Sequence, residues 1–238
     1  MKLLNLLIKF IKLLKNQKTR KGLLNNIAAN IELEDLVKDL KFETVFDIGS
    51  NKGQFILLIE KLFSTDMDIY SFEPIKEILA KQKKFFSNKK NISFFNFALG
   101  EKYSKKILNI TKRKDSSSLL KINSIVKNID HSVVEKREIE IKSLDEVMKN
   151  RNLIKPILAK IDVQGYELEV LKGSSNLLKE IKYIVIEVSE NKIYSEQALA
   201  SNIIEYLNNM NFKVLNETKE SKIPGTELKQ KDILFIKK

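Results

Sequence analysis

The sequence contains no cysteine and a single histidine, His131. Without thiols there is no disulfide framework and no cysteine-based metal site, and one histidine rules out a multi-histidine zinc centre. The lack of thiols fits a reducing, cytoplasmic compartment. Long apolar runs are missing too. Lys9 and Lys12 interrupt the apolar stretch of the first residues, which is much shorter than the ~20 residues needed to span a bilayer. That stretch has no small-residue cleavage site and does not read as a secretory signal. Acids are absent before Glu32.

What is present is a chain of 238 residues, 43% of them apolar, enough for one α/β domain with a short extension. Of the net charge of +12, Lys2, Lys9, Lys12, Lys15, Lys18, Arg20 and Lys21 supply +7, leaving +5 for the rest. The division falls at an extension, 1–40, and a globular domain, 41–238. In the extension, apolar residues from Leu3 to Leu14 alternate with a polar stripe of Lys2, Asn5, Lys9, Lys12 and Asn16. This spacing predicts an amphipathic helix over 1–21 with a wide apolar face. Two uses stay open. The helix lies on an anionic membrane surface, peripheral to its inner face, or it packs on the domain with its lysines toward water.

Beyond a short helix over 31–40, apolar strands alternate with helical periodicity. Strands are predicted at 44–48, 68–72, 92–97, 156–163, 183–188, 212–216 and 233–237, and helices at 53–63, 75–86, 166–178 and 196–209. Further strands at 106–111 and 138–142 flank a polar stretch containing Asp115 and three serines. Ser143 to Glu146 has the pattern of a capping box. Continuous apolar strands alternating with helices imply a parallel sheet covered on both faces.

The first strand runs through Asp47 into Gly49-Ser50-Asn51-Lys52-Gly53 and then a helix. In such a sheet, ligands bind at the carboxyl ends of the strands. The G-x-x-x-G spacing is neither the dinucleotide fingerprint nor a phosphate-binding P-loop. An acid before the loop repels a pyrophosphate and favours a cation, an amine or hydroxyls, a combination found in S-adenosylmethionine. The second strand ends at Glu73, 20 residues after Gly53, about the spacing of an acid that grips ribose hydroxyls. The plainer reading makes Asp47 and Glu73 caps or turn residues.

"FDIGSNKGQF", "SFEP", "NFALG", the serine run before Leu119, "SLDEV" and "AKIDVQGYELEVLKGS" occur in that order. Together, over about 44–188, they resemble the FkbM family of S-adenosylmethionine-dependent methyltransferases. Ser50 stands where the family often has Ala, and Gln164 where it often has Glu. The resemblance implies a class I, Rossmann-like fold with a mostly parallel seven-stranded sheet and helices on both faces. It implies O-methylation, often of sugar hydroxyls or polyketide-type products. By that analogy Asp47, Gly49, Ser50, Asn51 and Gly53 cradle the methionine part, Glu73 holds the ribose, and Asn96, Ala98 and Leu99 line the adenine side.

Asp162 ends one strand and Glu187 sits inside the apolar run of the next. In the family's fold these strands are neighbours, with carboxyl ends at the methyl-transfer region. The two carboxylates are candidates to deprotonate a hydroxyl, bind sugar hydroxyls, or share a hard cation such as Mg2+. The competing reading is a salt bridge from Lys160 to Asp162. Glu167 is an ordinary first-turn acid, and His131 reads as a solvated loop residue. The leading expectation is an O-methyltransferase acting on a sugar, glycan or glycolipid hydroxyl. Nucleic-acid methylation and a non-catalytic membrane-associated binding module are the alternatives.

Overall fold

The computed structural model describes residues 2–63, 67–126, 132–223 and 226–238; His131 lies outside the described residues. The chain begins with two helices, α1 (Lys2–Leu14) and α2 (Gln17–Leu24), instead of the single helix expected over 1–21. Asn16 causes the break. Its side chain accepts hydrogen bonds from the backbone N–H of Lys18 at 2.9 Å and Thr19 at 3.4 Å, capping α2 where one helix would have continued. A 3₁₀ turn (Ile31–Leu33) then runs into the short helix α3 (Glu34–Val37).

The alternating body follows: β1 (Thr44–Ile48), α4 (Gln54–Leu62), β2 (Asp68–Phe72), α5 (Lys76–Phe85), β3 (Ile92–Phe95), β4 (Ala98–Leu99), β5 (Ser104–Thr111), β6 (Val133–Lys142) and α6 (Leu144–Met148). After these come β7 (Ile157–Ile161), α7 (Glu167–Lys172), β8 (Ile181–Ser189), α8 (Ala200–Asn209), β9 (Phe212–Glu217), β10 (Ser221–Lys222) and β11 (Lys229–Lys237). Ser143 caps α6 by accepting the Glu146 N–H at 3.2 Å, at the expected position. The helix expected over 166–178 closes at Gly173 and resumes only as a 3₁₀ turn (Leu177–Lys179).

The main sheet has the order β3-β2-β1-β7-β8-β11, with β9 and β10 both on the outer edge of β11. Strands β3, β2, β1, β7 and β8 are parallel, and β11 is antiparallel to β8. The strand count is eight, not seven, because the outer position is split. β9 pairs with residues 233–237 of β11 and β10 with 229–230. Between them Thr218 turns its hydroxyl to the Asp232 N–H at 2.9 Å, which interrupts the ladder. β5 and β6 form a separate three-stranded sheet with β4. The strand expected over 92–97 therefore ends at Phe95, and Ala98 and Leu99 pass to the second sheet.

Side-chain alternation sends Val45, Ile69, Leu158, Val185 and Leu234 to one face of the main sheet, against α4 and residues 27–37. Phe46, Ile48, Ile161, Ile186 and Phe235 face the other way, onto α6, α7 and α8. Both faces of β1 and β7 are buried, so these strands read as apolar runs apart from Thr44, Asp47 and Lys160. The core on the first face is continuous from Ile27 through Val37 to α4.

Gly22 marks where α2 joins that core. A Cβ there would lie 2.3 Å from Leu57 Cδ2 and 2.6 Å from the Ile27 carbonyl oxygen. The backbone oxygen cannot give way, so Gly22→Val is expected to cost about 1–3 kcal/mol by overpacking. Urea unfolding checks this: an unchanged midpoint means that α2 does not pack tightly on α4.

Candidate active site

The carboxyl end of β1 is held from two sides. The Ile48 carbonyl accepts the Asp162 N–H at 3.0 Å, and the N–H groups of Gly49 and Ser50 donate to Phe72 O at 3.1 and 3.0 Å. Gly49 has φ +77°, and a Cβ there would sit 1.9 Å from the Asp162 carbonyl oxygen. Glycine is required because β1 and β7 meet there, more than because a ligand must approach. Ser50 belongs to a buried polar trio. Its Oγ lies 2.8 Å from Ser71 Oγ and accepts from Gln82 Nε2 at 3.0 Å, while Ser71 donates to Gln82 Oε1 at 2.7 Å. Gln82 also donates to Asn51 O at 3.0 Å, so α5 fixes the shape of the loop after β1.

Glu73, at the end of β2, is both a cap and a wall of the site. Its Oε1 accepts the Ile75 N–H at 2.7 Å and its Oε2 the Asn51 N–H at 3.0 Å, tying the loops after β1 and β2 together. It lines a cavity of about 410 Å³ with Gly49, Ser50, Asn51, Phe97, Ala98 and Leu99. Burial raises its pKa to about 7, against two backbone hydrogen bonds that lower it.

Three residues expected in the cofactor site do not reach this cavity wall. Asp47 is fully buried behind it, and neither carboxylate oxygen has a hydrogen-bond partner. Burial raises its pKa to about 6, partly offset by Lys160. Gly53 caps α4 with φ +85° and packs on Phe86. Asn96 points back under β2 and donates to the carbonyls of Glu73 and Pro74 at 2.9 and 3.0 Å. It holds the turn that carries Glu73, leaving Phe97, Ala98 and Leu99 on the wall.

The structure brings Asp162 and Glu187 together at the far end of the same cavity. Lys160 is buried on β7, in register with Asp47 on β1, and its Nζ lies 3.0 Å from Asp162 Oδ2. The salt bridge weighed from the sequence thus exists alongside the site position. Burial opposes the charge on Lys160, but the carboxylates of Asp162 and Asp47 outweigh it and hold the ammonium above its ordinary range. Glu187 is pushed well above the ordinary carboxylate range, first by burial and then by Asp162 and Asp232.

Gln164 links the pair, a role for which the sequence carried no signal beyond a departure from the family. It sits at φ +57°. Its amide donates to Asp162 Oδ1 at 2.7 Å and to Glu187 Oε2 at 3.2 Å. The amide is aimed by Tyr194, whose hydroxyl donates to Gln164 Oε1 at 2.8 Å, and the Gln164 carbonyl accepts from Ser118 Oγ at 2.6 Å. Gln230 on β11 donates to Glu187 Oε1 at 2.7 Å. Tyr194 lies in a loop with no motif around it, and only its burial at the cavity identifies it.

The cavity fits S-adenosylmethionine. Phe97 and Leu99 offer apolar surface at one end and Glu73 free lone pairs beside them. Asn51 Oδ1 is buried without a partner, an acceptor in want of a donor such as an ammonium or a hydroxyl. Carboxylates at the other end suit a sulfonium. The donor set does not fit a metal between Asp162 and Glu187. Lys160 and Gln164 aim N–H groups at the Asp162 oxygens, and among the described residues no group of three or more His, Cys, Asp or Glu is arranged to hold a metal.

Glu167, buried on α7, offers a clean test of these buried acids. Its Oε1 accepts the N–H groups of Val163 and Gly165 at 3.1 and 3.0 Å, and burial raises its pKa from 4.5 to about 7. A carboxyl whose folded pKa is raised contributes stability that is complete below the unfolded pKa and lost as pH rises through the folded one. The ligand-free protein is therefore expected to melt at higher temperature as pH falls from about 8 to about 6. Glu167→Gln keeps one oxygen for both N–H groups and should raise the melting temperature at pH ~8 while flattening the slope. A wild-type melting temperature that falls over that window contradicts this account.

Comparisons with known proteins agree with the geometry. The sequence profile of the methyltransferase FkbM domain matches residues 47–214. The hexuronic acid methyltransferase AglP of Haloferax volcanii is 25% identical over 183 residues, 72% of this chain and 68% of that protein. A methyltransferase FkbM from Methylobacillus flagellatus superposes with a TM-score of 0.50 at 14% identity, over 84% of this chain and 45% of its own, so this chain spans less than half of its length. TehB from Haemophilus influenzae gives a TM-score of 0.50 at 12% identity, over 89% of this chain and 63% of its own. The structural likenesses speak to the fold, which is that of class I methyltransferases. The profile covers most of the chain, and on that ground the chain belongs to the FkbM family of S-adenosylmethionine-dependent methyltransferases.

Proposed function

We propose that this methyltransferase acts on a hydroxyl of a sugar, in a glycan or glycolipid. The observation that carries the reading is the pair Asp162 and Glu187, held side by side by one amide at the end of the cofactor cavity. A sugar presents several hydroxyl donors, and paired carboxylates accept them well. The same carboxylates repel phosphates, which weighs against a nucleic-acid strand as acceptor. Similarity to a protein named for hexuronic acid points the same way.

When bound, S-adenosylmethionine supplies a methyl group already activated on a sulfonium. The chain's own residues have two tasks: to align the oxygen and to take its proton. Glu187 suits the second task. Its raised pKa makes its carboxylate a stronger base than an ordinary one, and a nearby cation favours the ionised form. Asp162, tethered by Lys160 and Gln164, is placed to accept a neighbouring hydroxyl and orient the sugar. In this reading the site works without Mg2+.

Two measurements test the proposal. Glu73→Ala removes charge-assisted hydrogen bonds worth about 1.5–3 kcal/mol each, so calorimetry should find S-adenosylmethionine binding weakened roughly 10- to 100-fold. Unchanged affinity would reduce Glu73 to a cap. The cleaner catalytic variant is Glu187→Gln, because Asp162→Asn also strips Lys160 of its partner and is expected to destabilise the fold. Glu187→Gln keeps one acceptor oxygen and should fold with a melting temperature near that of wild type, while losing about 10²- to 10⁴-fold in turnover on a sugar acceptor. Full activity would remove Glu187 from the chemistry. Activity should be indifferent to a chelator; loss restored by Mg2+ would put a metal at the pair.

A further inference from the structure

Helix α1 sits on the domain the wrong way round for a packing helix. The described part of α1 buries one large apolar side chain, Leu13 at 3% exposure. Leu7, Phe10, Ile11 and Leu14 are 53%, 51%, 44% and 41% exposed. At about 100° per residue these four fall within one sector of roughly 100°. The opposite side carries Lys9, which pairs with Glu32 at 2.7 Å. With Ile8 and Lys12, Lys9 lines a second cavity of about 650 Å³, which reaches Asp162, Glu187, Gln230 and Asp232. The helix thus turns lysines toward the site and its apolar stripe outward, the reverse of the packing arrangement considered from the sequence.

We propose that this outward stripe inserts into an anionic lipid surface, with α1 lying flat in the interface and serving at the same time as one wall of the acceptor cavity. Charge selects the occupant. Exposed Lys15, one turn on from Ile11, borders the stripe, and no acid precedes Glu32. A second copy docking the same stripe would bring lysines against lysines, whereas anionic headgroups neutralise them. No helix among the described residues is long and apolar enough to cross a membrane, so the contact is interfacial. The membrane contact stands on α1 alone. That the second cavity then opens at headgroup level, ready for a sugar carried on a lipid, rests on the acceptor proposed above.

Sedimentation with vesicles tests the contact without acceptor or turnover, so its outcome is separate from that of the acceptor reading. The full chain is expected to pellet with phosphatidylglycerol-containing vesicles at low salt, not with pure phosphatidylcholine, and to be released as salt rises. The triple substitution Leu7→Ser, Phe10→Ser, Ile11→Ser alters exposed side chains outside both cavities. It should cut pelleting about fivefold or more while leaving the melting temperature and S-adenosylmethionine affinity unchanged. A wild-type chain that stays in solution with anionic vesicles overturns the proposal, as does pelleting that the triple variant does not reduce. A wild-type dimer that the variant makes monomeric, with no vesicle binding, would assign the stripe to a second copy.

Discussion

Among the described residues Lys160 is the only buried lysine, and the functional end of the sheet is built around it. Its strand partner in register is Asp47, and its ammonium holds Asp162. One strand further on, Glu187 faces Asp232 across β8 and β11. Four adjacent strands thus bring acids to one end of the sheet with a single cation beneath them. Buried ion pairs are poor stabilisers, since desolvation offsets most of the attraction. This one makes the local concentration of carboxylates tolerable. Burial first, and the neighbouring Asp162 carboxylate after it, push Asp47, Glu187 and Asp232 toward the neutral form, against the pull of Lys160. A site poised in this way has room for a positively charged ligand.

The parts of the fold and site set by local pattern were legible in the sequence. The apolar strands, the loop from Gly49 to Gly53, the acid at the end of β2 and the pair Asp162 and Glu187 all announce themselves by position relative to a strand end. What escaped was set by partners distant in the chain. Asn96 belongs to the right segment but turns under β2, because the carbonyls of Glu73 and Pro74 need a donor there. Gly53 is glycine for its conformation and for Phe86. The orientation of α1, with Leu13 buried and Lys9 paired to Glu32, is not revealed by periodicity alone. The roles of Gln164 and Tyr194 depend on a hydrogen-bond chain whose members lie on three loops.

The loop after β1 shows how one small polar side chain becomes structural. Ser50 meets Ser71 and Gln82, three polar side chains that satisfy one another in a buried space. Such a trio is stable only when complete. It transfers the rigidity of α5 to the backbone that faces the cofactor cavity, so the geometry of the cradle is maintained from behind.

Gln164 carries a tension of a different kind. A non-glycine residue at φ +57° is held in a region that L-residues rarely occupy, at a cost of order 1–3 kcal/mol. Glycine would relieve that cost and release both carboxylates from the amide that joins them. Backbone ease and the joining of the two carboxylates therefore pull this position in opposite directions.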